Sequence, residues 1–254
     1  MSAGRSLAYL RYQLTDYLLN RASLPIILVA FAAGMPLYVM KFTPGYWQTP
    51  EGASQASMMF RSTVALFLPV GAFLASVNLI SVDRQQGHVR FFFSKPVNVL
   101  GYYGQAYVLH GVTFTLLFGL ITWLFGQASS PIPVIPAMEA AVLTFVLVGS
   151  LGFLLGALTR YDGGAMVLIY VVATLTQQIV AQTREFTPAR LGDIPAVVRY
   201  LAAVLPPAHS LDRIRTALYT ATAVDMTMLL HVVGYSAGAI VIGVIALRRL
   251  PLAR

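Results

Sequence analysis

The chain has 254 residues, of which 57% are hydrophobic and only 10% charged, with a mean hydropathy of +0.73; because soluble domains carry about 25% charged residues, a water-soluble globule is excluded. Its formal charge of +8 comes from cations scattered beside apolar runs, a pattern that fits membrane topology better than a nucleic-acid partner. With no cysteine, disulfides, thiolate catalysis and thiolate metal sites are ruled out.

No uninterrupted apolar stretch with a small-residue cleavage site opens the sequence, so no cleaved signal peptide is expected. Residues 5–21 set Leu7, Leu10, Leu14 and Leu18 at three- and four-residue intervals. That spacing predicts an amphipathic helix, lying in the membrane interface or packed on protein. Six apolar runs follow, at 24–40, 62–82, 102–125, 137–158, 164–181 and 226–247. At 1.5 Å per residue they match a hydrocarbon layer of roughly 30 Å, although the first reaches only about 26 Å. Ser23 and Pro25 suit the start of that first helix, and Pro36 is expected to kink or end it.

Residues 182–225 form a connection too long for an unstructured tether. An apolar stretch at 196–205, a Pro206-Pro207 break and an amphipathic stretch at 210–219 predict two short helices resting on or dipping into the outer face. A seventh span is disfavoured, since 196–205 is short and contains Arg199. If the N-terminus is cytoplasmic, ten of the 17 Lys and Arg fall inside, five lie in this long connection, and only Lys41 and Arg61 occupy short outer loops. The distribution favours both termini inside. The expected fold is all-α: one six-span membrane domain covering residues 1–254.

All nine acidic residues lie in loops or near run ends, leaving no mid-span carboxylate pair to relay protons. Neither an HExxH pattern nor an i, i+4 pair relates His88, His110, His209 and His231. Only His110 is deep, and a neutral ring hydrogen-bonded between helices is expected there rather than a proton carrier. Phosphate-loop patterns are missing as well, so active transport would draw on a partner or an ion gradient. The pairs Gly152/Gly156 and Gly234/Gly238 suit close helix packing, either within one bundle or between chains.

The stretch VDRQQGHVRFFFSKPV, residues 82–97, is too polar to lie in hydrocarbon and too apolar for an idle loop. Gly87 permits a tight approach or a helix break, and Pro96 stops a helix while biasing Lys95 toward extended geometry. The interval between them predicts a short stiff rod. Phe91, Phe92 and Phe93 can divide between a partner groove and lipid or the bundle, with polar contacts from Asp83, Arg84, His88 and Arg90. The bland reading is an interfacial helix with its rings in lipid.

The order of an acidic residue leaving the second run, Gly87, a bulky helical patch, Ser94-Lys95-Pro96-Val97 and re-entry at Tyr102-Tyr103-Gly104 resembles the permease subunits of ATP-binding-cassette (ABC) exporters of the type-2 class. The six-run layout and the basic tail LRRLPLAR are similar in outline, although many relatives have Gly-Lys where Gly104-Gln105 stands. The resemblance implies that residues 83–100 form a cytoplasmic coupling helix seated in a separate nucleotide-binding ATPase subunit. Asp83, Arg84, Gly87, His88, Phe91, Phe92 and Pro96 would make the contact. It further implies no cofactor in this chain, with ATP and Mg bound by the partner ATPase, and a second permease copy or similar permease completing the pore. Lipids, accessory proteins and residence in the cytoplasmic (inner) membrane fit the same picture. The chain itself would be no enzyme.

Cargo is expected to be amphipathic or lipid-like, because the spans offer few polar groups. Asn78, Thr113, Thr115, Gln177 and Gln178 are candidate cavity residues, and interhelical hydrogen bonding accounts for them equally well. The alternative function is a membrane scaffold or assembly factor that recruits a soluble partner without transport. An intramembrane lipid enzyme is disfavoured by the missing catalytic constellation.

Overall fold

The computed structural model describes residues 45–85, 99–128, 133–159, 161–186 and 194–249, with isolated positions 11, 14, 15 and 192. The expected first span at 24–40 lies outside the described residues, as do 86–98 and all but three positions of the interfacial helix at 5–21. Regular structure among the described residues is helical throughout: α1 (Pro50–Ser76), α2 (Ser81–Gln85), α3 (Val99–Ala128), α4 (Val134–Leu158), α5 (Asp162–Phe186), α6 (Ala196–Val204), α7 (Ala208–Thr220) and α8 (Met226–Arg249), after a 3-10 turn at Tyr46–Gln48. Five are long and apolar enough to cross a membrane: α1 continued to Asp83, α3, α4, α5 and α8. They correspond to the second through sixth apolar runs.

Helix α1 begins well before the apolar run at 62. Thr49 caps it by accepting from the Gly52 N–H at 3.1 Å, Pro50 occupies the first turn, and Glu51 meets the positive end of the helix dipole. Arg61, expected in an outer loop, is instead helical, and its Nη2 donates to the Tyr219 carbonyl at 3.1 Å. Helix α8 starts in a similar way, with Asp225 Oδ1 accepting from the Thr227 N–H at 2.8 Å.

Helix α4 is the centre of the bundle and packs against α1, α3, α5, α7 and α8. Its sequence explains the position, because a helix apolar on every side is satisfied only when surrounded. Accordingly, 67% of its most apolar window is buried, against 17% for α5 and 22% for α8. Phe114, Phe118 and Phe125 of α3 pack with Phe60 of α1 and Phe145 of α4 along one side.

The long connection after α5 folds into α6 and α7, matching the two predicted short helices. Helix α7 penetrates deeply. Leu211 and Ile214 are fully buried in one cluster with Val232 of α8 and with Leu147, which lies near the midpoint of α4. The turn between the short helices is held by the buried Gln177 side chain. Its Nε2 donates to the carbonyls of Ala202 at 3.1 Å and Pro206 at 2.8 Å, while its Oε1 accepts from the His209 N–H at 2.9 Å. Irregular backbone at such depth persists only when its polar groups find partners within the protein.

Candidate functional site

The end of the bundle opposite α6 and α7 contains the roots of the 86–98 segment. Helix α1 stops at Ser76, and the chain turns through Asn78, whose φ of 64° lies in the left-handed region that asparagine tolerates better than most residues. Immediately afterwards, Leu79 and Ile80 are 4% and 0% exposed. They join a cluster with Tyr103 of α3, Phe153 and Ala157 of α4, and Leu247 of α8. Burying each of the two contributes about 1.5–3 kcal/mol.

The polar side of this joint is organised by Asp162, the first residue of α5 and only 1% exposed. Its Oδ2 accepts from the Asn78 backbone N–H at 3.1 Å, and its Oδ1 accepts from the Ser81 hydroxyl at 2.8 Å. The helix N-terminus also favours this carboxylate. One turn beyond Ile80, Asp83 is buried, and its Oδ2 accepts from the Tyr103 hydroxyl at 3.1 Å. Asp83 precedes the 86–98 segment in the chain and Tyr103 follows it, so this bond ties together the two roots of the segment.

Close approach of the joint to α4 depends on glycine. A Cβ at Gly156 would lie 3.3 Å from Ile80 Cβ and 3.4 Å from Asp162 Oδ2, while one at Gly152 would lie 3.3 Å from the Ser76 carbonyl oxygen. The first glycine pair therefore works inside the bundle. At Gly234 and Gly238 a Cβ would meet nothing within 4 Å, so the second pair does not pack against the described residues.

Of the residues expected to contact an ATPase, Asp83 is at the joint and Arg84 is in α2. Gly87, His88, Phe91, Phe92 and Pro96 lie outside the described residues. The candidate cavity residues separate. Asn78 belongs to the joint and Gln177 to the α6–α7 turn, Thr113 and Thr115 lie on α3, and Gln178 alone lines the large cavity between α1, α5 and α7. His110 Nδ1 donates to the Ala75 carbonyl at 2.8 Å, satisfying a carbonyl near the end of α1 that continued helix would otherwise use. This geometry fits the expected interhelical role.

Sequence reasoning gave Ser81 and Asp162 no role and named Tyr103 only as part of the re-entry after the segment. Their only local cue is polarity at the ends of apolar runs, and Asp162 is 81 residues from Ser81. The joint's hydrogen bonds and packed side chains hold backbone in place; among the described residues no three His, Asp or Glu side chains gather as a metal cluster. Compared with protein-family models, curated proteins and solved structures, the chain matches none.

Proposed function

We propose that the chain is the transmembrane permease subunit of an ATP-driven ABC exporter of the type-2 class. The observation that carries this reading is the Asp83–Tyr103 hydrogen bond, backed by the Asp162 grip on Asn78 and Ser81. Both roots of the 86–98 segment are thereby fixed to several spans at once. Force applied to a segment fixed in this way reaches α1, α3 and α5 together, whereas a segment on slack linkers would dissipate it.

In this mechanism the segment faces the cytoplasm and docks Phe91 and Phe92 into a nucleotide-binding ATPase subunit, with Arg84, Gly87, His88 and Pro96 completing the contact. A second permease copy or a similar permease completes the pore in the inner membrane, and a sixth span at 24–40 completes each bundle. ATP and Mg are bound by the ATPase subunits. Closure of those subunits moves the two segments and, through the joints, exchanges inward and outward access. Net export then requires different cargo affinity in the two states.

The test is co-purification of the full chain with its ATPase from a mild detergent, followed by ATP-driven transport in vesicles. Replacing Phe91 and Phe92 together with aspartate should release or uncouple the ATPase while the spans remain inserted. Unchanged ATPase association and transport in that variant would overturn the coupling role. Capture of a soluble partner without nucleotide-driven movement would replace this reading with that of a scaffold.

A further inference from the structure

A cavity of about 790 Å³ lies between α1, α5 and α7, within the range of about 300–1,000 Å³ that accommodates small ligands. Its two halves differ in chemistry. Toward the joint, its wall is formed by Phe73 and Leu74 of α1, Leu151 of α4, and Met166 and Val167 of α5. Toward α7 the wall contains Ser62, Gln178, His209, Asp212 and Arg215. From Met166 to Gln178 the wall runs roughly 18 Å along α5, so the cavity is elongated as well as amphipathic.

Arg215 gives the polar half its character. It is only 7% exposed, and it sits on the helix whose Leu211 and Ile214 reach the mid-depth of α4. Its Nη2 donates to Asp212 Oδ1 at 2.6 Å, whereas Nη1 is buried with no acceptor among the described residues. A guanidinium has five donors and no acceptor, and an ionised side chain buried among membrane-spanning helices is costly enough to mark a functional site. The Asp212 side chain is 56% exposed, so it can turn toward water when another oxyanion takes its place.

We infer that this cavity binds an anionic amphiphile, with its hydrocarbon chain between α1 and α5 and its carboxylate or phosphate head on Arg215. Nη1 is sealed in the present arrangement, so the head is met by a swing of the long Arg215 side chain, whose planar fork suits two oxygens. The Asp212 carboxylate is the oxyanion that a ligand head would replace on Arg215. Its removal and the removal of Arg215 therefore act in opposite directions.

As a cargo site this rests on the exporter reading, but binding by the chain alone does not. The full chain in zwitterionic nanodiscs is tested with radiolabelled oleate, with oleyl alcohol as the uncharged match and with inorganic phosphate as the free anion. Oleate should bind at least tenfold tighter than oleyl alcohol, and inorganic phosphate should not displace it. Arg215→Gln should erase the preference for oleate, and Asp212→Asn should strengthen oleate binding several-fold. Val171 also lines the apolar wall on α5, and Val171→Trp, which fills that wall and leaves Arg215 in place, should abolish binding if Arg215→Gln fails to fold. Equal binding of oleate and the alcohol, displacement by inorganic phosphate, weakening by Asp212→Asn, or undiminished binding in Val171→Trp would each overturn the proposal. Loss of binding with ATPase capture intact removes the site alone; binding without ATPase capture removes the exporter reading alone.

Discussion

Gly156→Leu tests whether the joint depends on contact with α4. The Cβ alone would stand 3.3 Å from Ile80 Cβ and 3.4 Å from Asp162 Oδ2, and the remaining leucine carbons have to displace a side chain that is 0% exposed. Overpacking of this kind costs typically about 1–3 kcal/mol. Displacing Asp162 from one of its donors adds about 1.5–3 kcal/mol, while exchange of glycine for a good helix former returns about 0.8–1.0 kcal/mol. The net expectation is destabilisation by about 1.5–5 kcal/mol. Gly238→Leu is the matched control, because a Cβ there meets nothing within 4 Å. It should leave stability unchanged or raise it by up to about 1 kcal/mol. Equilibrium unfolding in mixed micelles, followed by far-ultraviolet circular dichroism, reads both variants. The reasoning fails if Gly156→Leu stays within about 0.5 kcal/mol of the parent, or if Gly238→Leu loses as much stability as Gly156→Leu.

Three further outcomes are expected. Asp162→Asn replaces one acceptor oxygen with a donor group and should cost about 1.5–3 kcal/mol; limited proteolysis within 86–98 should accelerate, and parental cleavage kinetics would count against the clamp. Gln177→Leu leaves the His209 N–H and the Ala202 carbonyl without their side-chain partner, at about 1–3 kcal/mol, and faster amide exchange confined to the α6–α7 turn is the measurement. His110→Phe removes the bond to the Ala75 carbonyl and should lower stability by about 1 kcal/mol and, on the exporter reading proposed above, leave ATP-driven transport in place. Collapse of transport with intact ATPase association would instead identify a proton carrier.

Much of this architecture is legible in the sequence because the dominant force acts locally. Five apolar runs become five long helices, and α4, the most uniformly apolar, takes the centre. The early start of α1 was obscured by Glu51, Gln55 and Arg61, which interrupt the apolar pattern, although Thr49 and Pro50 supply a capping signal. The glycine pairs look alike in sequence and behave differently, because the distinction rests on whether another helix is adjacent. Asp162 was visible only as a polar residue at the end of a run. Its role depends on a turn at Asn78, and sequence spacing alone does not reveal that encounter. Arg215 was likewise one cation among five in a long connection until α7 carried it into the bundle.

The separation between Asn78 and Asp162 also sets an order of events during synthesis. The chain between them is 84 residues long, and translation at about 5–20 residues per second takes roughly 4–17 s to add it. Throughout that interval the turn after α1 exists without its carboxylate anchor. The turn that precedes the 86–98 segment therefore gains its Asp162 contacts only once the start of α5 is made. On the exporter reading proposed above, stable recruitment of the ATPase subunit is then a late step of biogenesis, and truncation before Asp162 should yield inserted chains unable to complete it.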